Sequence, residues 1–143
     1  MSRIPVLFPP LQHMVDAINA TDSRAIAALY AEDGVHEDVP AGTTARGREE
    51  IAAFVDGTLG QFRDVRFEPV SGRQEGDLAV LEYTLSVTDI ASGRPLSYRG
   101  VLVFEFDETL IRRTADYYDL ATILGQLGQS EAGAATPAVT TVP

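Results

Sequence analysis

Residues 110–127 read L-I-R-R-T-A-D-Y-Y-D-L-A-T-I-L-G-Q-L. The first half is β-branched and aromatic and reads as a strand to about Tyr118. The second half places Leu120, Ala121, Ile123 and Leu124 at helical spacing and stops at Gly128. Asp119, directly before that run, has the position of a helix N-cap. Asp116 lies inside the strand half. A carboxylate there belongs either on solvent, paired with Arg112 or Arg113, or beside something that needs an acid.

Moving upstream, the chain reads as a meander. A strand over 96–106 carries Val101, Leu102, Val103 and Phe104 on both faces, with turns at 91–93 and 107–109. The run 78–88 alternates strictly: Ala79, Leu81, Tyr83, Leu85 and Val87 share one face, with Glu82, Thr84, Ser86 and Thr88 on the other. From Phe62, period two continues through Val65, Phe67 and Pro69, and 72–76 reads as a turn.

The N-terminal third has helical spacing instead. Pro9 and Pro10 suit a helix start, and Met14, Val15 and Ile18 give a first helix to about Ala20. Thr21 and Asp22 supply cap chemistry for a second, built on Ala25, Ile26, Ala28 and Leu29 and expected to end near Gly34. Residues 35–39 alternate as a brief strand stopped by Pro40 and Gly42. A third amphipathic helix over 47–60 carries Ile51, Phe54, Val55 and Leu59.

Helices first and a meander afterwards is α+β order. The expected architecture is a cone-shaped barrel of strongly curved, mostly antiparallel sheet wrapped around three N-terminal helices, with a short C-terminal helix. Such a cone leaves a pocket, so pocket function is the default expectation. A single domain is expected over 1–128. Residues 129–143, without periodicity or any large apolar residue beyond Val, are expected to form a disordered tail.

Composition limits the function classes. At 143 residues, 45% apolar and 22% charged, the chain can bury a core. A formal charge of −10 argues against nucleic acid, whose phosphates need clustered Lys and Arg. Without cysteine there is no disulfide, thiolate metal site or thiol nucleophile. No apolar run approaches the roughly 18 to 20 residues of a membrane span. The N-terminus M-S-R-I-P-V-L-F-P-P is a poor signal peptide, so a cytoplasmic location is expected.

Three segments carry a family resemblance: 19–42 (N-A-T-D-S-R-A-I-A-A-L-Y-A-E-D-G-V-H-E-D-V-P-A-G), 47–54 (G-R-E-E-I-A-A-F) and 115–128 (A-D-Y-Y-D-L-A-T-I-L-G-Q-L-G). Over roughly residues 10–128 the chain resembles the nuclear transport factor 2-like superfamily, and within it the SnoaL-like polyketide cyclases, ketosteroid isomerases and limonene epoxide hydrolases. The isomerase resemblance puts a proton-shuttling base on Asp38, in Glu37-Asp38-Val39-Pro40, while its oxyanion donors fall on Met14 and about Leu102. The hydrolase resemblance puts one catalytic carboxylate on Asp116, in Thr114-Ala115-Asp116-Tyr117-Tyr118-Asp119-Leu120. Its water-positioning pair falls on His36 and Asp38, and its Arg and second Asp fall near Tyr83 and Leu85. The cyclase resemblance asks for one strand Asp as acid/base with a His nearby, which Asp116 and His36 supply.

The expectation is therefore a cofactor-independent SnoaL-like enzyme acting on a small apolar, oxygenated substrate by cyclisation or isomerisation. Asp116, Asp38 and His36 would be catalytic, with no metal. Met14, Phe54, Tyr83, Leu85, Leu102 and Tyr118 would line the substrate. An epoxide hydrolase-like enzyme, or a non-catalytic ligand-binding dimer, is the alternative. The resemblance also implies a homodimer through the outer face of the sheet. On a strand, His36 and Asp38 share a face, which would let the imidazole be oriented by one carboxylate and share protons with the other. Glu37 would face solvent.

Overall fold

A computed structural model describes residues 7–128; the tail expected over 129–143 lies outside them. Helix α1 (Pro9–Asn19) starts on Pro at its first positions, where a missing N–H costs nothing. It buries Leu11, Met14, Val15 and Ala17. Helix α2 (Ser23–Ala28) is capped by Asp22, whose carboxylate accepts from the Ala25 N–H. Strands β1 (Tyr30–Asp38) and β2 (Thr43–Arg46) follow, then helix α3 (Gly47–Leu59). Strands β3 (Phe62–Glu75), β4 (Leu78–Asp89), β5 (Pro95–Asp107) and β6 (Leu110–Tyr118) form the meander, and α4 (Leu120–Gln126) ends it.

The six strands form one sheet in the order β2-β1-β6-β5-β4-β3. All pairs are antiparallel except β1 with β6, which is parallel. The sheet is not closed into the expected barrel: β2 and β3 are its two edges, and α1 and α3 pack against β3, β1 and β2. Alternation along β4 buries Ala79, Leu81, Tyr83, Leu85 and Val87 as expected. With Leu96, Leu102, Phe104 and Phe106 of β5 they form the core against the helices.

Three further points differ from the sequence reading. The second helix ends at Ala28, and Gly34 lies inside β1 rather than stopping a helix. The β1–β6 register shifts between Tyr30 and Val35, and a Cβ at Gly34 would sit 3.0 Å from the Ile111 carbonyl oxygen. Gly34 thus serves close strand approach at a bulge. Strand β2, only four residues long, was not anticipated. Gly72 belongs to β3, and the turn comes at Gly76, whose φ is +60°. A Cβ at Gly72 would meet Leu7 at 2.7 Å and Leu11 at 3.3 Å, so this glycine admits the start of α1.

Two amide side chains tie helices to strand backbone that lacks a neighbour. Asn19, ending α1, donates to the Phe67 carbonyl at 3.0 Å and accepts from the Phe67 N–H at 2.7 Å on edge strand β3. Gln126, ending α4, pairs with Ser97 N–H and C=O of β5, both at 2.8 Å. The β5–β6 pairing runs only to Gly100↔Tyr118, so Gln126 stands in for the peptide group that β6 no longer supplies.

Candidate active site

Between the helices and the inner face of the sheet lies a cavity of about 270 Å³. Helices contribute Met14, Ile18, Ile26, Ile51, Phe54 and Val55, and α4 contributes Leu120 and Ile123. The polar groups converge from the sheet: His36 and Asp38 from β1, Tyr83 from β4, Tyr98 from β5, Asp116 and Tyr118 from β6. All the site residues expected from sequence, Met14, His36, Asp38, Phe54, Tyr83, Leu85, Leu102, Asp116 and Tyr118, line this one space. Among the described residues no Lys or Arg does so, and no group of three or more His, Asp or Glu side chains is clustered to hold a metal ion.

Register explains the convergence. In the parallel β1–β6 pair, His36 lies opposite Thr114 and Asp38 opposite Asp116. Across β5, Leu102 is the register partner of Asp116, while Gly100 is the partner of both Tyr83 and Tyr118. The Tyr83 phenol therefore passes over Gly100 and donates to Asp116 Oδ1 at 2.7 Å. A Cβ at position 100 would overlap the Tyr83 hydroxyl. Phe67 stacks on the Tyr83 ring with centroids 4.5 Å apart and holds it from the other side.

Asp38, 8% exposed, is held at Oδ1 by the Tyr118 hydroxyl at 2.8 Å and by the Ala41 N–H at 3.3 Å. Asp116 takes one donated bond. Burial pushes its carboxyl up to about 7; the Tyr83 hydrogen bond works against that shift, and the nearby Asp38 charge adds to it. An acid of this pKa is available both protonated and ionised near neutral pH, as a group that must give and take a proton requires. Burial also holds the phenols of Tyr83, Tyr98 and Tyr118 far above their ordinary value, so they act as donors and not as anions.

His36 does not pair with either carboxylate, contrary to the expectation that one would orient it. Its Nδ1 meets Thr114 Oγ1 at 2.7 Å, and its ring rests against Phe54 with centroids 4.9 Å apart. Burial lowers its pKa, against the opposing pull of Asp38 and Glu37. Glu37 faces outward as expected, but it is ion-paired to Arg113 at 2.7 Å instead of simply solvated. Asp119 caps α4 through the Thr122 N–H at 3.0 Å.

Sequence reasoning left out Tyr30, Thr114 and Gly100. Tyr30 fell in the stretch read as helix. Gly100 resembles any strand glycine until the register sets Tyr83 across from it.

A model of the SnoaL-like domain matches residues 11–114. No curated protein matches. Among solved structures, a protein of ketosteroid isomerase-like fold from Catenulispora acidiphila, crystallised with trimethylamine, is similar at TM-score 0.83 and 22% identity. That match covers 89% of this chain and 98% of that one. A proposed polyketide cyclase from Pseudomonas putida is similar at TM-score 0.74 and 26% identity, covering 82% of this chain and 94% of that one. TsrD from Streptomyces laurentii is similar at TM-score 0.74 and 26% identity, with 85% and 93% covered. With the model matching most of its length and these folds superposing on it, the chain belongs to the SnoaL-like domain family, on a nuclear transport factor 2-like fold.

Proposed function

We propose that the protein is an acid/base enzyme that isomerises or cyclises a compact, apolar carbonyl compound, with Asp116 as the group that moves the proton. The observation that carries this reading is Asp116 itself: a carboxyl in an apolar cavity, poised near neutral pH, with its orientation fixed by Tyr83. In the ring-closing version, ionised Asp116 takes a proton from the carbon beside one carbonyl. The resulting carbanion attacks a second carbonyl of the same molecule, and the new alkoxide receives that proton back. Isomerisation uses the same proton and returns it to a different carbon. Either version is internally balanced, so no cofactor is called for. Asp38, tied down by Tyr118 and Ala41, orders the substrate or a water beside it.

The cavity volume lies just under the about 300–1,000 Å³ usual for ligand pockets, which favours a compact substrate over a large polycyclic one. An epoxide-opening reading would need a cation between two acids, and the lining offers none among the described residues. The test is turnover of candidate diketones by wild type and Asp116→Asn. Loss of at least about a hundredfold is expected, as removal of a general acid/base causes. Full retention of turnover would overturn the assignment.

A second reading has one specific observation behind it. Two carboxylates and four tyrosines face a cavity that, among the described residues, is lined by no cationic side chain, which suits an apolar ammonium ion held by charge and by ring faces. The similar Catenulispora protein was crystallised with trimethylamine. If this chain is a binding module of that kind, trimethylamine will bind and pivalate, a tert-butyl group carrying a negative charge instead of a positive one, will not. Asp116→Asn will then abolish binding, and no diketone will turn over.

A further inference from the structure

Tyr30, Thr114 and His36 form a chain of polar groups that enters the cavity from below. The Tyr30 hydroxyl and Thr114 Oγ1 are 2.6 Å apart, and Thr114 Oγ1 and His36 Nδ1 are 2.7 Å apart. Thr114 is 0% exposed and Tyr30 is 2% exposed, and the Tyr30 hydroxyl has no hydrogen-bond partner besides Thr114 among the described residues. From the hydrogen-bonding capacities of these groups we infer that Thr114, with the Tyr30 hydroxyl donating to its oxygen, is a positioning residue. It locks His36 in the tautomer with the proton on Nε2, so that the ring offers the cavity a hydrogen-bond donor and not a base.

Proton counting leads there. A phenol and a threonine hydroxyl each carry one hydrogen, and neutral imidazole carries one on either nitrogen. If Tyr30 donates to Thr114 and Thr114 donates to Nδ1, both buried hydroxyl hydrogens are used and the imidazole proton is on Nε2. If instead Nδ1–H donates to Thr114, that oxygen either passes its own hydrogen to Tyr30, orphaning the phenol hydrogen, or receives from both neighbours and orphans its own. Each alternative leaves a buried donor without an acceptor, which disfavours it roughly ten- to a hundredfold.

A doubly protonated ring would face the same competition at Thr114. Asp38, Asp116 and Glu37 are the acidic groups near it, and none of them hydrogen-bonds to the ring. Burial, the larger influence on this ring, favours the neutral form.

A neutral imidazole donating from Nε2 polarises a carbonyl or holds a developing oxyanion, whereas the other tautomer would compete with Asp116 for the substrate proton. The division of labour is then defined. Asp116 moves the proton, and His36 receives the charge that builds on oxygen. The tautomer follows from the ligand-free protein alone; only the role toward a substrate oxygen rests on the function proposed above.

The test is two-bond 1H–15N correlation NMR of the wild-type protein at pH 8, with His36 assigned by His36→Gln. The expected spectrum has a protonated Nε2 and an unprotonated, hydrogen-bonded Nδ1. In Thr114→Val the Nδ1 resonance moves downfield, as a pyridine-type nitrogen does on losing a donated hydrogen bond, and Thr114→Ser restores it. In Tyr30→Phe an Nδ1–H donating to Thr114 would still orphan the Thr114 hydrogen, so the Nε2–H spectrum is expected to persist, and an Nδ1–H form there would overturn the counting. A wild-type Nδ1–H tautomer overturns the inference, and so does an Nδ1 resonance unmoved in a folded Thr114→Val. The wild-type spectrum is decisive even if a variant fails to fold. It is also read without turnover, so its failure is distinct from a failure of the Asp116 assignment.

Discussion

Asp116→Asn is expected to make the protein more stable at alkaline pH, even as it removes activity. The unfolded chain ionises Asp116 near 3.8, and the folded one near about 7. Between those values the native state binds more protons than the unfolded state, so stability falls as pH rises. Below 3.8 the group is neutral in both states and costs nothing; above about 7 the full cost of a buried charge is present. Between pH 5 and pH 8.5 about two units of that difference come into play, worth at most about 2.7 kcal/mol at about 1.36 kcal/mol per unit. Because the carboxyl keeps some contact with the cavity, where water softens the penalty, a change of about 2–2.5 kcal/mol is the working figure.

Asparagine keeps the acceptor for Tyr83 and loses the charge. Urea unfolding followed by far-UV circular dichroism, at pH 5 and pH 8.5 for both proteins, isolates the effect. Every other titrating group is common to both proteins and cancels in the difference. The stability of the variant relative to wild type should rise by about 2–2.5 kcal/mol between the two pH values, a midpoint shift of about 1 M urea. A relative stability that is constant with pH would mean that Asp116 titrates as an ordinary surface acid. The case for it as a proton-moving group would then collapse.

Tyr83→Phe removes the hydrogen bond that favours ionised Asp116, so the carboxyl pKa should rise above about 7 by about one to two units, followed by 13C NMR of the side-chain carboxyl. Gly100→Ala puts a methyl where the Tyr83 hydroxyl lies, so the same alkaline shift is expected, with a stability loss of about 1–3 kcal/mol by thermal or urea unfolding. Gln126→Ala leaves the Ser97 N–H and C=O to solvent; a loss of about 1 kcal/mol in global stability is expected, with faster amide exchange concentrated in α4.

Much of the fold was legible because its signals are local. The alternation Ala79, Leu81, Tyr83, Leu85, Val87 identifies one buried face of β4 without any partner, and Asp119 announces α4 by the apolar spacing behind it. Strand β1 was legible only over its last residues. Ala31, Glu32, Asp33 and Gly34 do not alternate, since a bulge there breaks the period, and their run onto Leu29 reads as a helix end. Strand β2 is too short to show a period. The open sheet could not be told from a barrel, because whether β2 and β3 meet depends on how far the sheet curls and not on either strand's composition. At the site, Asp116, Asp38 and His36 could be singled out as acids and a base on strands. Their partners could not. Tyr83 to Asp116 and Thr114 to His36 are contacts between strands, fixed by register, and register is set by turns and bulges remote from the groups it aligns.

That dependence makes the β1–β6 register the physical determinant of the site. One residue of slip would turn His36 and Asp38 to the outer face and bring Glu37 into the cavity. Several features oppose it. The Gly34 bulge fits only where β1 passes Ile111 at close range, and the Val39 N–H donates to the Asp116 carbonyl at 3.1 Å, just past the paired stretch. On the outer face Arg113 donates to Glu37 on β1 at 2.7 Å and to Glu105 on β5 at 2.8 Å, linking three strands. Each of those ion pairs is partly exposed and worth about 0–1 kcal/mol, too little to matter as stabilisation. Their effect is on alignment: a slipped strand would put His36 or Asp38 in place of Glu37 within reach of Arg113 and leave Glu37 desolvated among apolar side chains. The charges on the outer face thus select the one register in which the inner face holds two carboxylates, each met by a tyrosine, and an imidazole met by a threonine.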